Sequence, residues 1–152
     1  MNFNTLGPLD NAIIIAILIT LFSITALRPF AISISLVDSP NNRKKHVGTV
    51  PLIGGIAMFF GFTISLITVG IDLSHYKYFI LASLIVVVIG VLDDHQDISV
   101  WHRLFFQLTA ALILAILAGV NIESFGAIIH PSDILSINYP WSIFVTVIAV
   151  IV

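Results

Sequence analysis

The sequence predicts an all-α fold, a polytopic membrane helix bundle of about five transmembrane helices. Three observations predict it. Hydrophobic residues make up 59% of the 152, while Asp, Glu, Lys and Arg together reach only 9%, against roughly 25% in a typical soluble domain. Mean hydropathy is +1.12. The few ionisable residues also punctuate the chain, and the gaps between them have the length of membrane spans. A soluble globule of this size could not cover its surface with so few charges, and a disordered chain needs the opposite composition.

Each element follows from one gap. Asn11 to Leu27 is seventeen residues without a charge and continues through Arg28-Pro29 to Val37, giving a first span near 11–35. Pro29 is expected to kink or end that helix, because it removes a backbone donor. No basic residue precedes Ile13, and Asp10 sits where a secretory signal carries positive charge. The N-terminus is therefore expected to open the mature chain. The second span, near 51–71, begins at Gly54-Gly55, where small residues are expected to permit a close helix contact, with Gly61 on the same face. Tyr78 to Leu92 supplies only fifteen charge-free residues, or roughly 22 Å of a hydrocarbon core about 30 Å thick. The third span, near 77–93, must then draw in His75, Tyr76 and Lys77 or hold Asp93 and Asp94 at the membrane boundary. Runs of nineteen residues from Leu104 and from Ile134 give the fourth and fifth spans, near 103–122 and 134–152. Residues 1–152 read as a single membrane domain without internal repeats.

Five spans alternate the loops between two sides. Arg28, Arg43, Lys44, Lys45 and Arg103 fall on one side, and Lys77 alone on the other. The positive-inside rule places the former side in the cytoplasm and the N-terminus outside. The absence of Cys excludes disulfides, zinc thiolates and thiol catalysis. A net charge of −2 with six basic residues gives nucleic-acid binding little support.

The chemistry gathers in the two cytoplasmic loops. One is basic, with Arg43, Lys44, Lys45 and His46; the plainer reading is a topology signal facing anionic lipid. The other is acidic, with Asp93, Asp94 and Asp97 within five residues. Were the helix to continue, Asp93 and Asp97 would share a face at i,i+4. Such carboxylates repel unless a cation compensates, and the plainer reading is a solvated helix end. An EF-hand is a poor fit, since Ile98 stands in place of the required Gly and the bidentate Glu is missing. Mg²⁺ binds through one or two carboxylates plus substrate phosphates, and Arg and Lys suit phosphate oxygens. Together the loops describe a membrane surface where a phosphorylated substrate meets a lipid-embedded one. His95 and His102 flank the acidic loop, whereas His75 and His130 read as outer, interfacial residues. Phe105 and Phe106 read as lipid-facing or packed.

Here the sequence resembles a known family. The run Val37-Asp38-Ser39-Pro40-Asn41, then Arg43-Lys44, His46, Gly48 and Pro51-Leu52-Ile53-Gly54-Gly55, is similar to a signature of the polyprenyl-phosphate N-acetylhexosamine-1-phosphate transferases. So is Gly90-Val91-Leu92-Asp93-Asp94 with Asp97-Ile98-Ser99, Arg103 and Gln107. The resemblance implies transfer of N-acetylglucosamine 1-phosphate from UDP-N-acetylglucosamine to undecaprenyl phosphate, with release of UMP. It implies Mg²⁺ or Mn²⁺ as cofactor, the bacterial inner membrane as location and a periplasmic N-terminus.

By resemblance, Asp93 and Asp94 are the paired carboxylates, binding metal or activating the lipid phosphate, with Asp97 a further metal candidate. Arg43, Lys44, Lys45 and His46 would contact phosphate; His95, Arg103 and Gln107 are weaker candidates. Trp101 departs from the family, where a basic residue is common, and suits an interfacial anchor. The resemblance also implies a longer protein, since members of this family run to more than about twice this length with about ten or eleven spans. The chain is therefore expected to be an N-terminal part, inactive by itself, with the rest supplied in trans or by a homo-oligomer as possible partners. Two other classes stay open: a small transporter using carboxylates as proton sites, and a non-catalytic subunit or relic.

Overall fold

The computed structural model describes residues 7–38, 49–70, 72–127 and 134–151. Five apolar helices dominate it: α1 (Pro8–Ser33), α2 (Gly54–Thr68), α3 (Leu73–Gln96), α4 (Val100–Leu112) and α5 (Trp141–Ile151). Among the described residues, three stretches are long and apolar enough to cross a membrane: Leu9–Ser33, Tyr76–Gln96 and Val100–Leu117. The last joins α4 to a π-helical turn, Ile113–Leu117, closed by the Ala118 N–H on the Ile113 carbonyl at 3.0 Å. Helices α2 and α5 are shorter, at 15 and 11 residues. Two short antiparallel ribbons complete the fold: β1 (Val37–Asp38) with β2 (Val50–Pro51), and β3 (Ser124–Ala127) with β4 (Ile134–Ser136). A membrane helix bundle is what this composition builds, because backbone polar groups in lipid must be satisfied within the helix.

Pro29 lies inside α1, which runs on to Ser33 within the span expected near 11–35; a single proline removes one helical hydrogen bond and leaves the rest of the ladder intact. The fifth helix starts at Trp141 instead of near 134, because Ile134–Ser136 pair with Ser124–Ala127 as a hairpin arm. The third helix extends through Asp93 and Asp94 to Gln96.

The chain forms two compact units. The first draws on Met1–Leu73 and Val87–Ile98. Within it, α1 and α2 pack closely through small residues. Ala57, Gly61 and Ser65, four apart on α2, are all buried. A Cβ on Gly61 would collide with the Thr20 side chain and lie 2.7 Å from the Ala16 carbonyl oxygen of α1. Gly54 and Gly55 face open space instead, so the expected contact belongs to Gly61 alone of the three.

Helix α1 closes with a double hydrogen-bonded cap. The Ser35 N–H donates to Ile32 O at 3.2 Å and the Leu36 N–H to Ala31 O at 2.9 Å, while Ser35 adopts φ +59°. This is the Schellman arrangement, with Ser where Gly is usual. Its hydrophobic contact is present too: Ala31 and Leu36 join Ile53 in a buried cluster, against which Leu27, Leu52, Ile56 and Val91 of α3 pack. The Leu52 N–H donates to Leu36 O at 3.1 Å, next to the β1–β2 pairing of Val37 with Pro51 and Asp38 with Val50.

The second unit draws on Ser74–Val86 and Ser99–Val152. Ala110, Ala111 and Ala115 are buried on the fourth span, and Ser142 and Thr146 on α5. Thr146 Oγ1 donates to Ser142 O at 2.6 Å and accepts the Ile122 N–H at 2.8 Å. That bond ties the segment before β3 to α5, so a backbone donor outside any helix is satisfied.

Candidate functional site

The basic loop's key residues, Arg43, Lys44, Lys45 and His46, lie outside the described residues, as does His130. What the structure shows is the base of that loop. β1 and β2 pair across it, and Leu36, Leu52 and Ile53 anchor the pair to the apolar cluster. Both ends of the loop are therefore held within the first unit.

The acidic residues sit at the exit of α3. Asp93, half-buried, and Asp94, exposed, occupy its last turn, followed by exposed His95. Val91 packs on the cluster at the base of the basic loop. Asp94 and His95 follow Val91 by three and four positions and so share its helix face. The first unit thus brings the acidic helix end and the roots of the basic loop to one place.

Asp97 behaves differently from its neighbours. The helix ends at Gln96, and Asp97 takes φ +46° while its N–H donates to Asp93 O at 3.0 Å. This single bond from a left-handed residue is an αL cap. The expected i,i+4 alignment of Asp93 with Asp97 is therefore absent, because the left-handed turn takes Asp97 off the helical ridge.

In the second unit, Ser99 is the N-cap residue of α4. Its carbonyl accepts the His102 and Arg103 N–H groups at 3.0 and 3.2 Å. Its hydroxyl does not cap the helix but pairs with His102 Nδ1 at 2.7 Å. Arg103 and Gln107, both half-buried, stand one turn apart on α4, and Trp101 is 82% exposed at its start, as an interfacial anchor requires. The Ser99–His102 pair and the αL role of Asp97 were not apparent from the sequence. The Ser-x-x-His spacing could have signalled the first; nothing local signals the second.

Among the described residues, no three His, Asp or Glu side chains come together in a set that could hold a metal ion. A divalent cation held by Asp93, Asp94 or both, and completed by substrate phosphates, fits the donors. The C-terminal end of α3 carries the negative pole of the helix dipole, and Asp93, Asp94 and His95 stand in that last turn.

The fold is that of a helical membrane protein whose third helix, apolar along its span, ends in a paired acidic turn. The chain is a member of glycosyl transferase family 4, whose model matches residues 76–152 and so includes Asp93, Asp94, Arg103 and Gln107. Its similar relatives are named undecaprenyl-phosphate alpha-N-acetylglucosaminyl 1-phosphate transferase. The Yersinia pestis protein is 36% identical over 137 residues, covering 88% of this chain and 37% of its own length. The Salmonella typhi protein is 34% identical over 145 residues, covering 95% and 39%, and that of Escherichia coli K12 is 32% identical over 138, covering 88% and 37%. The chain spans less than two fifths of the length of these relatives. No solved structure matches it.

Proposed function

We propose that this chain contributes the acidic and basic cytoplasmic loops of an enzyme that transfers N-acetylglucosamine 1-phosphate from UDP-N-acetylglucosamine to undecaprenyl phosphate. UMP is released. In this reading the reaction is the first step of O-antigen or common-antigen type envelope polysaccharide synthesis, at the cytoplasmic face of the bacterial inner membrane. The observation that carries it is the Asp93-Asp94 pair in the last turn of an apolar span, in a chain of this family.

The chemistry suits the residues. An oxygen of the lipid phosphate attacks the sugar-bearing phosphorus of the donor, and the bond to the UMP phosphate breaks. Both partners are anionic, so catalysis consists mostly of positioning and charge neutralisation. Mg²⁺ or Mn²⁺, when bound at Asp93 or Asp94, supplies positive charge to the diphosphate. Arg43, Lys44, Lys45 and His46 bring the remaining positive charge to the phosphates. Asp97 acts as the cap of α3. Five of the six basic residues lie on the side assigned to the cytoplasm, which supports that orientation and a periplasmic N-terminus.

The test joins this chain to the remaining segment of the Yersinia pestis relative and supplies both substrates with Mg²⁺. UMP release that requires UDP-N-acetylglucosamine and undecaprenyl phosphate together is the expected result. A correctly inserted, folded fusion that releases no UMP would sink the proposal.

A further inference from the structure

Within the second unit, a surface outside the candidate site lies between the fourth span and α5. The segment runs from the end of the apolar stretch Val100–Leu117 through the β3–β4 hairpin to Trp141, the first residue of α5. Aromatic side chains stand out from it: Phe125 on β3 is 54% exposed, Tyr139 77% and Trp141 65%. We propose that the hairpin is a membrane-interface element, with Phe125, Tyr139 and Trp141 seated among the lipid headgroups at the surface where the fourth span ends. This inference does not depend on the transferase reading above.

Three observations commit the surface to lipid. The first is depth. The Ile122 N–H donates to Thr146 Oγ1 at 2.8 Å, and Thr146 lies five residues into α5 from Trp141, or roughly 7.5 Å along the axis. Phe125 follows Ile122 by three residues and can climb at most roughly 10 Å from it. The tether therefore keeps Phe125 near the level of Trp141, at the end of an apolar helix, and not far out in water. The Ile137 N–H on Glu123 O at 2.7 Å closes the base of the hairpin.

The second observation is the chemistry of the rings. Tyr and Trp join an apolar body to a polar tip, and such rings collect at the headgroup level of bilayers. Trp141 and Phe144 meet edge to face with centroids 6.2 Å apart, so the aromatic surface continues down α5. The third is charge. No Lys or Arg occurs between Leu104 and Val152, and Glu123 at the foot of β3 is exposed. Attraction to anionic lipid needs basic residues, so the attachment rests on the rings.

The consequence reaches the other end of the same unit. Trp101 is exposed at the start of α4. From Trp101 to Leu117 the helix advances roughly 24 Å, close to a hydrocarbon thickness of about 30 Å. Aromatic anchors at both ends then clamp the fourth span at a fixed height. Arg103 and Gln107 ride on that span, so the hairpin at one surface sets how far they stand from the other.

The test places single tryptophans in the 152-residue chain, reconstituted in phosphatidylcholine vesicles. With Trp101→Phe and Trp141→Phe as background, Phe125→Trp reports the hairpin. Tyr139→Trp in the same background gives a second reading that stands if the first variant fails to fold. The quenchers are acrylamide in the water and phosphatidylcholine brominated either near the headgroup or near the chain end. The expected result is stronger quenching by the shallow bromines than by the deep ones, weak quenching by acrylamide, and emission shifted to the blue of tryptophan in water. Adding phosphatidylglycerol should leave this pattern unchanged. Strong acrylamide quenching with no effect of either bromolipid overturns the proposal, since the hairpin then stands in water. Silence to all three quenchers overturns it too, because protein, a second copy included, then covers the rings. Stronger quenching by the deep bromines, or a pattern that arises only with phosphatidylglycerol, also overturns it.

Discussion

The Asp97 N–H closes α3 on the Asp93 carbonyl at 3.0 Å, with Asp97 itself in the left-handed region at φ +46°. The third carboxylate of the acidic motif is thus built into the backbone that ends the helix, and the first two ride on the helix it ends. Left-handed backbone costs an ordinary L residue roughly 1–2 kcal/mol, and Gly avoids the cost. Asp97→Gly should therefore keep the fold and the UMP release of the joined protein. Asp97→Val should lower its thermal midpoint in detergent, by a cost of about 1–2 kcal/mol. Loss of turnover in a folded Asp97→Gly protein would make Asp97 a ligand after all.

Gly61 and Gly55 make a second contrast on one helix. Gly61 faces the Thr20 side chain and the Ala16 carbonyl, whereas Gly55 faces open space. Gly61→Ala should cost about 1–3 kcal/mol through overpacking of α1 on α2. Gly55→Ala should be neutral or gain up to about 1 kcal/mol of helix stability. Thermal unfolding of the two variants in the same detergent, followed by circular dichroism, checks the order. Equal midpoints would contradict the close contact.

Thr146 holds a backbone donor that nothing in its own segment satisfies. Thr146→Val leaves the Ile122 N–H unpaired in a partly buried place, at a cost of about 1–3 kcal/mol. Thr146→Ser keeps the oxygen and should cost less. Hydrogen exchange at the Ile122 amide separates them: fast in the Val variant, protected in the Ser variant. Protection in both would mean the bond does not hold β3's approach to α5.

The chain has no Cys, so single introduced thiols report the proposed topology without background. Lys45→Cys should react with a membrane-impermeant maleimide only from the cytoplasmic side, and Lys77→Cys only from the periplasmic side. The reverse pattern would invert the orientation and remove the acidic helix end from the cytoplasm.

The helices and the acidic end were legible in the sequence for one reason. In a chain with this few charges, each ionisable residue marks a boundary, and the gap before Asp93 already placed the carboxylates at a span's end. The details that shape the site were not legible. Ser35 and Asp97 act as left-handed caps, a role that sequence signals only when Gly or Asn fills it. Ala57, Gly61 and Ser65 form the α1–α2 contact, but Gly54-Gly55 drew attention to the wrong end of α2. Ile134–Ser136 belong to a hairpin, although their apolar character is continuous with the helix beyond Trp141. A short apolar segment reads alike as strand or helix, and its partner across the turn decides.

The central claim is that Asp93 and Asp94 at the end of α3 carry the transfer. The most direct measurement is UMP release by the joined protein bearing Asp93→Asn or Asp94→Asn, each compared at equal expression and equal helical content. Exchanging a carboxylate for an amide preserves shape and removes the negative charge that the proposed cation needs. The account predicts that each variant loses at least about 10²–10³ in turnover, the scale of losing one electrostatic contact at a reacting phosphate. If both variants instead release UMP at the parent rate, the acidic helix end is not the site.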